Sequence, residues 1–199
     1  MMESKENRSK WRVFVALPVS EEARAALWRR QGELEGSFDR KSANFVNPEG
    51  IHITLKFIGD CDPSVIPPLA CNLKKALEGA APFKLTVAGT GVFPTPSAPR
   101  VLFAKVADDP EGALADLRKR VENACLACGF AAETKPFMPH LTIARLKNIN
   151  LNHYKLLRVE PDSPFFGSFA ADRVNVYRSF LYSTGAQYKI IESIVLKGG

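Results

Sequence analysis

His52-Ile-Thr54-Leu55 and His140-Leu-Thr142-Ile143 are two copies of one frame, set in runs that read as strands over Ile51–Ile58 and His140–Leu146. On a strand, residues i and i+2 share a face and stand roughly 6.5 Å apart. Each copy therefore presents an imidazole and a hydroxyl to one side, while Ile53, Leu55, Leu141 and Ile143 pack behind. A single histidine in an apolar strand is more often structural, but this chain has only three histidines and two of them share the frame. With seven threonines in 199 residues, chance alone gives such a pairing roughly four times in a thousand.

Imidazole titrates near neutral pH, so one copy can be neutral while the other is protonated. A threonine hydroxyl can donate a hydrogen bond to a phosphoryl oxygen. In-line displacement at phosphorus takes a proton from the incoming oxygen on one side and gives one to the departing oxygen on the other. Two histidines facing across a cleft meet both needs without a metal, and the threonines would hold the nonbridging oxygens between them. The pattern asks for a phosphodiester.

Working outward, Arg12-Val-Phe-Val-Ala-Leu17 reads as a strand, and Ser20 with Glu21 and Glu22 opens a helix running to about Gly36. Phe45-Val46 suggests a short strand ahead of a turn at Asn47-Pro48-Glu49-Gly50. Asp62-Pro63 opens a second helix, with Ile66, Leu69, Leu73, Ala76 and Leu77 at helical spacing and Gly79 as its stop. Strands follow near Phe83–Phe93 and Val101–Val106. Asp109-Pro110 then starts a third helix that carries Leu114, Leu117, Val121, Cys125 and Cys128 on one face and closes at Gly129. A helical turn is expected near His153–Leu157, and the last strands near Val174–Tyr182 and Tyr188–Leu196. Irregular alternation with neighbouring strands suited to antiparallel pairing reads as α+β. Each half holds a proline-started helix and a His-x-Thr strand, which suits two similar lobes around one cleft.

Apolar residues make up 46% and charged residues 24%, so the chain can fold as one globular unit of two small lobes. Lys and Arg exceed Asp and Glu by six, and the pI is about 9.2, a balance that favours a polyanionic partner. Met1–Lys10 reads as a mobile tail and 11–199 as a single bilobal domain. The apolar run Val13–Val19 is broken by Pro18 and followed by Glu21-Glu22, so neither a signal peptide nor a membrane span is expected. The expectation is a cytoplasmic monomer. Cys125-Leu-Ala-Cys128 has redox or zinc spacing but lacks a second pair, and buried thiols are the better reading. No disulfide, metal or cofactor is expected.

These segments resemble the 2H phosphoesterases, and among them the RNA 2′,3′-cyclic phosphodiesterases also called 2′-5′ RNA ligases. The resemblance is carried by Arg12–Leu17, Gly50-Ile-His-Ile-Thr-Leu-Lys-Phe-Ile-Gly59, Gly89-Thr-Gly-Val-Phe-Pro94 with Pro99-Arg-Val-Leu-Phe103, and Pro136-Phe-Met-Pro-His-Leu-Thr-Ile-Ala-Arg145. It implies two pseudo-symmetric lobes of antiparallel sheet, with helices packed outside, around one central cleft. It implies that His52 donates a proton and His140 accepts one, with Thr54 and Thr142 beside them. It also implies that Arg145 binds phosphate, and that RNA with a 2′,3′-cyclic phosphate end is opened to a 2′-phosphate.

Other residues have plainer readings. Arg145 lies five places after His140, so strict alternation puts it on the opposite face unless a bulge or the strand's end turns it. Lys56 shares the face of His52 by the same count and reads as an exposed strand lysine. Phe57, Phe93, Phe103 and Phe137 could stack on a base, but core packing is the better reading for each. Arg118-Lys119-Arg120 and Arg29-Arg30 read as solvated helix faces, His153 as a surface residue, and Gly89-x-Gly91 as too little for a nucleotide fingerprint. The rivals are RNA ligation by the same acid and base, a different small cyclic or 2′-5′-linked nucleotide, an RNA-binding module with little catalysis, and a zinc hydrolase using the three histidines.

Overall fold

A computed structural model describes residues 10–38, 42–107, 111–149, 154–155, 157, 159–160, 163–182 and 185–198. The tail is thus outside the described residues except for Lys10, as are Asp109-Pro110 and His153.

Two antiparallel sheets carry the fold. The first has the order β3-β1-β8-β9, from β1 (Trp11–Pro18), β3 (His52–Cys61), β8 (Arg173–Tyr182) and β9 (Gly185–Val195). The second has the order β2-β6-β5-β4-β7, from β2 (Ala43–Phe45), β4 (Phe83–Phe93), β5 (Val101–Ala107), β6 (His140–Leu146) and β7 (Phe165–Ala171). The paired lobes follow the sequence reading, but the helices are shared out differently. Helix α1 (Glu21–Glu35) follows a strand of the first sheet yet packs on β6 and β7 of the second. Helices α2 (Ile66–Ala76) and α3 (Ala113–Leu126) pack on each other and on β9 and β3 of the first. Helix α3 begins at Ala113, capped by Gly112, and the two helices read as one to each half both lie against the first sheet.

Local chemistry explains the element ends. The Ser20 side chain accepts a hydrogen bond from the Ala23 amide, capping α1. Asp62 caps a single 3₁₀ turn at Pro63–Val65, and α2 proper begins only at Ile66. Gly129, at φ +81°, takes the left-handed conformation just past α3. Strand β7, which the sequence reading omits, is rich in small residues and pairs with β4. Gly167, at φ +134°, takes a backbone conformation that other residues rarely adopt, and it faces Ala23 of α1.

Aliphatic side chains from both sheets and all three helices form one buried cluster, with Leu17, Leu27, Ile53, Leu69, Leu114 and Ile143 among its fully buried members. The four cysteines are free: Cys61 and Cys125 are buried, Cys128 is half-buried and Cys71 is exposed. Burial pushes the Cys125 thiol up to about 12, which makes it inert as a nucleophile.

Candidate active site

The two histidine strands carry the same irregularity at the same place. Opposite β3, Val15 pairs with Lys56 and the next residue, Ala16, with Thr54, so Leu55 is an extra residue. Opposite β6, Leu102 pairs with Ala144 and Phe103 with Thr142, so Ile143 is an extra residue. Each is a β-bulge, and beyond it the alternation of faces is reversed. The burial shows the consequence. In β6, His140, Thr142 and Arg145 lie on the open side, and Leu141, Ile143, Ala144 and Leu146 are buried. In β3, His52, Thr54 and Phe57 lie on the open side, and Ile53, Leu55 and Lys56 are buried.

Arg145 thus joins the face of His140, against simple alternation, and Lys56 leaves the face of His52. Lys56 is not an exposed lysine: it is 5% exposed, with Nζ donating to Glu122 Oε1 at 2.8 Å and to the Ala131 carbonyl at 2.7 Å. The Glu122 carboxylate also accepts from the Glu133 amide and has Arg118 at 3.6 Å. Burial alone would raise its pKa, but Lys56, the Glu133 amide and Arg118 together hold it below the ordinary value. Two helix-face readings also change. Arg118 lies against Glu122 and over the Phe137 ring, and Arg30 is buried beside Glu33 and Glu160.

His52, Thr54, His140, Thr142 and Arg145 line one cleft of about 890 Å³, walled also by α1, by β2 with the turn after it, and by the start of β9. The two imidazoles are held alike. His52 Nδ1 is 2.7 Å from the Gly50 carbonyl and His140 Nδ1 is 2.7 Å from the Met138 carbonyl. A carbonyl only accepts, so each Nδ1 carries the hydrogen and each Nε2 is left for the cleft. Around His52 the ring of Phe14 stacks at 4.5 Å, and Tyr188 meets it edge-on at 5.2 Å. Around His140, Phe93 and Phe103 stand edge-on at 5.1 and 5.4 Å. Phe103 covers Gly91, where a Cβ would fall 2.5 Å from the ring; the glycine leaves room for this packing.

Burial pushes His52 down to about 4, against the pull of the Gly50 carbonyl, with His140 and Arg145 adding to the depression. His140 is also lowered, by burial first and then by Arg145, with the Met138 carbonyl opposing. Both imidazoles are therefore poised to be neutral in the free protein at pH 7. Among the described residues no carboxylate pairs with Arg145, and no group of His, Cys, Asp and Glu could hold a metal ion. This set of donors and positive charge suits an anion.

Of the aromatics near the motifs, Phe93 and Phe103 buttress His140 and Phe137 carries Arg118, whereas Phe57 is 46% exposed with the Arg12 guanidinium 4.6 Å above its ring. Phe14, Tyr177 and Tyr188, which build the ring stack at His52, and Gln31 on the α1 wall were not singled out from sequence. They come from strands and a helix distant in the chain, and no local spacing marks them.

The chain is similar to known proteins in both sequence and fold. An RNA 2′,3′-cyclic phosphodiesterase of Geobacillus stearothermophilus is 39% identical over 132 residues, 66% of this chain and 41% of that protein, so the aligned part is less than half of the relative. One of Methanothermobacter thermautotrophicus is 32% identical over 185 residues, covering 92% of this chain and 97% of the relative. A crystal structure from Thermus thermophilus superposes with a TM-score of 0.76 at 29% identity, covering 94% of this chain and 98% of that one. E. coli LigT complexed with 3′-AMP shares the fold, with a TM-score of 0.74 at 19% identity over 94% of this chain and 98% of LigT. The family model for the 2′-5′ RNA ligase superfamily matches residues 19–179. With that span and a relative matched almost end to end, the chain belongs to the 2′-5′ RNA ligase superfamily.

Proposed function

We propose that this protein hydrolyses RNA 2′,3′-cyclic phosphate ends, with His52 and His140 as paired acid and base. The observation that carries the reading is the twofold repetition of one device: an imidazole with Nδ1 fixed by the carbonyl two residues back, Nε2 open to the cleft, and a threonine beside it. The relatives' shared activity fits that device. Neutral His140 takes the proton of a water attacking phosphorus, and protonated His52 gives one to the departing ribose oxygen. Thr54 and Thr142 hold the nonbridging oxygens and Arg145 offsets their charge. By family resemblance the 3′ oxygen departs, which leaves a 2′-phosphate.

The free protein favours a neutral His52, so the anion itself must help supply the acid. A phosphate placed between the imidazoles stabilises imidazolium by direct charge attraction and raises the pKa of His52 from about 4. The sign of the pH dependence follows. Activity falls at high pH as His52 loses its proton, and at low pH as His140 gains one. The alkaline limb of kcat, which belongs to the complex, should therefore lie at higher pH than that of kcat/KM, which belongs to the free protein. Coincident alkaline limbs would count against substrate-assisted protonation of His52.

The direct test is incubation of the protein with a short RNA bearing a 2′,3′-cyclic phosphate, in EDTA, followed by identification of the product end. The expected product is a 2′-phosphate formed at undiminished rate. An untouched cyclic end would overturn the reading, and a 3′-phosphate would keep the pairing but reverse the departing oxygen. No helix among the described residues is long and apolar enough to cross a membrane.

A further inference from the structure

We infer that Gln31 is a positioning residue for the anion-binding side of the cleft: through the Ile143 carbonyl it fixes the bulge that turns Arg145 toward His140 and Thr142. The inference rests on the reading of Arg145 as a phosphate ligand.

Gln31 lies on α1, lines the cleft wall and is 2% exposed. Its Nε2 donates to two backbone carbonyls, Val46 at 2.8 Å and Ile143 at 2.9 Å. Ile143 is the extra residue of the bulge in β6. The supernumerary residue of a bulge has no partner across the bulged ladder, so its peptide groups must be satisfied from elsewhere. Strand β2, on the other side of β6, has only three residues and its register ends with Phe45 opposite Ala144. Beyond it the Val46 amide reaches the Ile143 carbonyl at 3.0 Å, and the Gln31 amide supplies the second donor. One carboxamide therefore ties α1, the end of β2 and the bulge into a single junction.

The junction matters because the bulge sets the parity of every residue after it. With the bulge, Arg145 lies on the face of His140; without it, the period of two would send Arg145 to the opposite side. Among the described residues Gln31 Oε1 has no hydrogen-bond partner, so the polar value of this side chain lies in its two donations. Methionine matches the shape and cannot donate.

The test is a double-mutant cycle of Gln31→Met and Arg145→Ala, read in two ways. Titration of the histidine ring protons by NMR needs no turnover. Arg145 depresses both His52 and His140, so Arg145→Ala should raise both values. Gln31→Met should raise them in the same direction, and should add nothing when Arg145 is already absent. Kinetics on the cyclic-phosphate RNA should show KM rising roughly tenfold in Gln31→Met with a smaller change in kcat, and less than about twofold in the Arg145→Ala background. Additive effects, or histidine values that respond to Arg145→Ala but not to Gln31→Met, would overturn the assignment. Gln31→Leu, uncharged and without the donors, is the second variant. If neither variant folds, Gln31 is a structural residue and the assignment fails. A wild-type protein inactive on cyclic phosphate would refute the proposed function while leaving the titration cycle able to judge this inference.

Discussion

Alanine at His52 or at His140 is expected to lower turnover of a cyclic-phosphate RNA end by roughly 10² to 10⁴, the usual worth of general acid–base catalysis. Each imidazole is held by a single hydrogen bond to the backbone and opens onto the cleft, so neither ring anchors the core. The two losses should differ in their effect on stability. His52 is one layer of a ring stack with Phe14 and Tyr177, at centroid distances of 4.5 and 5.9 Å, whereas His140 meets Phe93 and Phe103 only by their edges. His52→Phe keeps an aromatic ring in the stack and removes the proton, which separates packing from chemistry at that position. Steady-state rates on purified variants, with unfolding curves alongside, check the claim. A folded variant of either histidine that turned over near the normal rate would refute the pairing.

Glu122→Leu is expected to destabilise the protein by about 3 to 5 kcal/mol, because it leaves the Lys56 ammonium buried with only the Ala131 carbonyl close by. For a chain of this size that corresponds to a fall in Tm of roughly 10 °C. Adding Lys56→Met should recover much of the loss, since an apolar pair of similar volume can replace a buried ion pair at little cost. The pH dependence has a definite sign. The folded protein holds the Glu122 carboxyl below its ordinary 4.5, so its contribution is present above that pH and is lost as pH falls through the lower, folded value. Thermal unfolding of the single and double variants measures both effects. A single variant within about 1 kcal/mol of wild type would show that the pair is not structural.

The histidine frame was legible because it is local: two residues on one strand face need only the period of the strand. Strand and helix positions were legible for the same reason, through Ser20, Gly79, Gly129 and the aliphatic runs. Lys56 was misplaced because the count of faces assumed an unbroken period, and a bulge at Leu55 changes parity without any glycine to mark it. Arg145 posed the same question, left open by alternation and settled only by the register with β5. Arg30 and Arg118 read as solvated because a helix wheel does not show what reaches them from other elements, here Glu160 at Arg30 and the Phe137 ring at Arg118. The three rings around His52 come from β1, β8 and β9, so their assembly depends on the sheet order.

The duplicated bulge has a consequence for the sense in which a substrate can lie. Two equivalent imidazoles on matching strands would offer a phosphodiester two opposite docking directions, with acid and base exchanged between them. The second residue past each bulge breaks that equivalence: β6 brings the Arg145 guanidinium to the cleft, whereas its counterpart in β3, Phe57, is uncharged and lies outside the cleft lining. Under the proposed role of Arg145, negative charge on phosphorus would be drawn toward β6 and not toward β3. A scaffold with near-equivalent halves thereby acquires a polarity, and a single side chain per strand is enough to make one line of attack differ from its reverse.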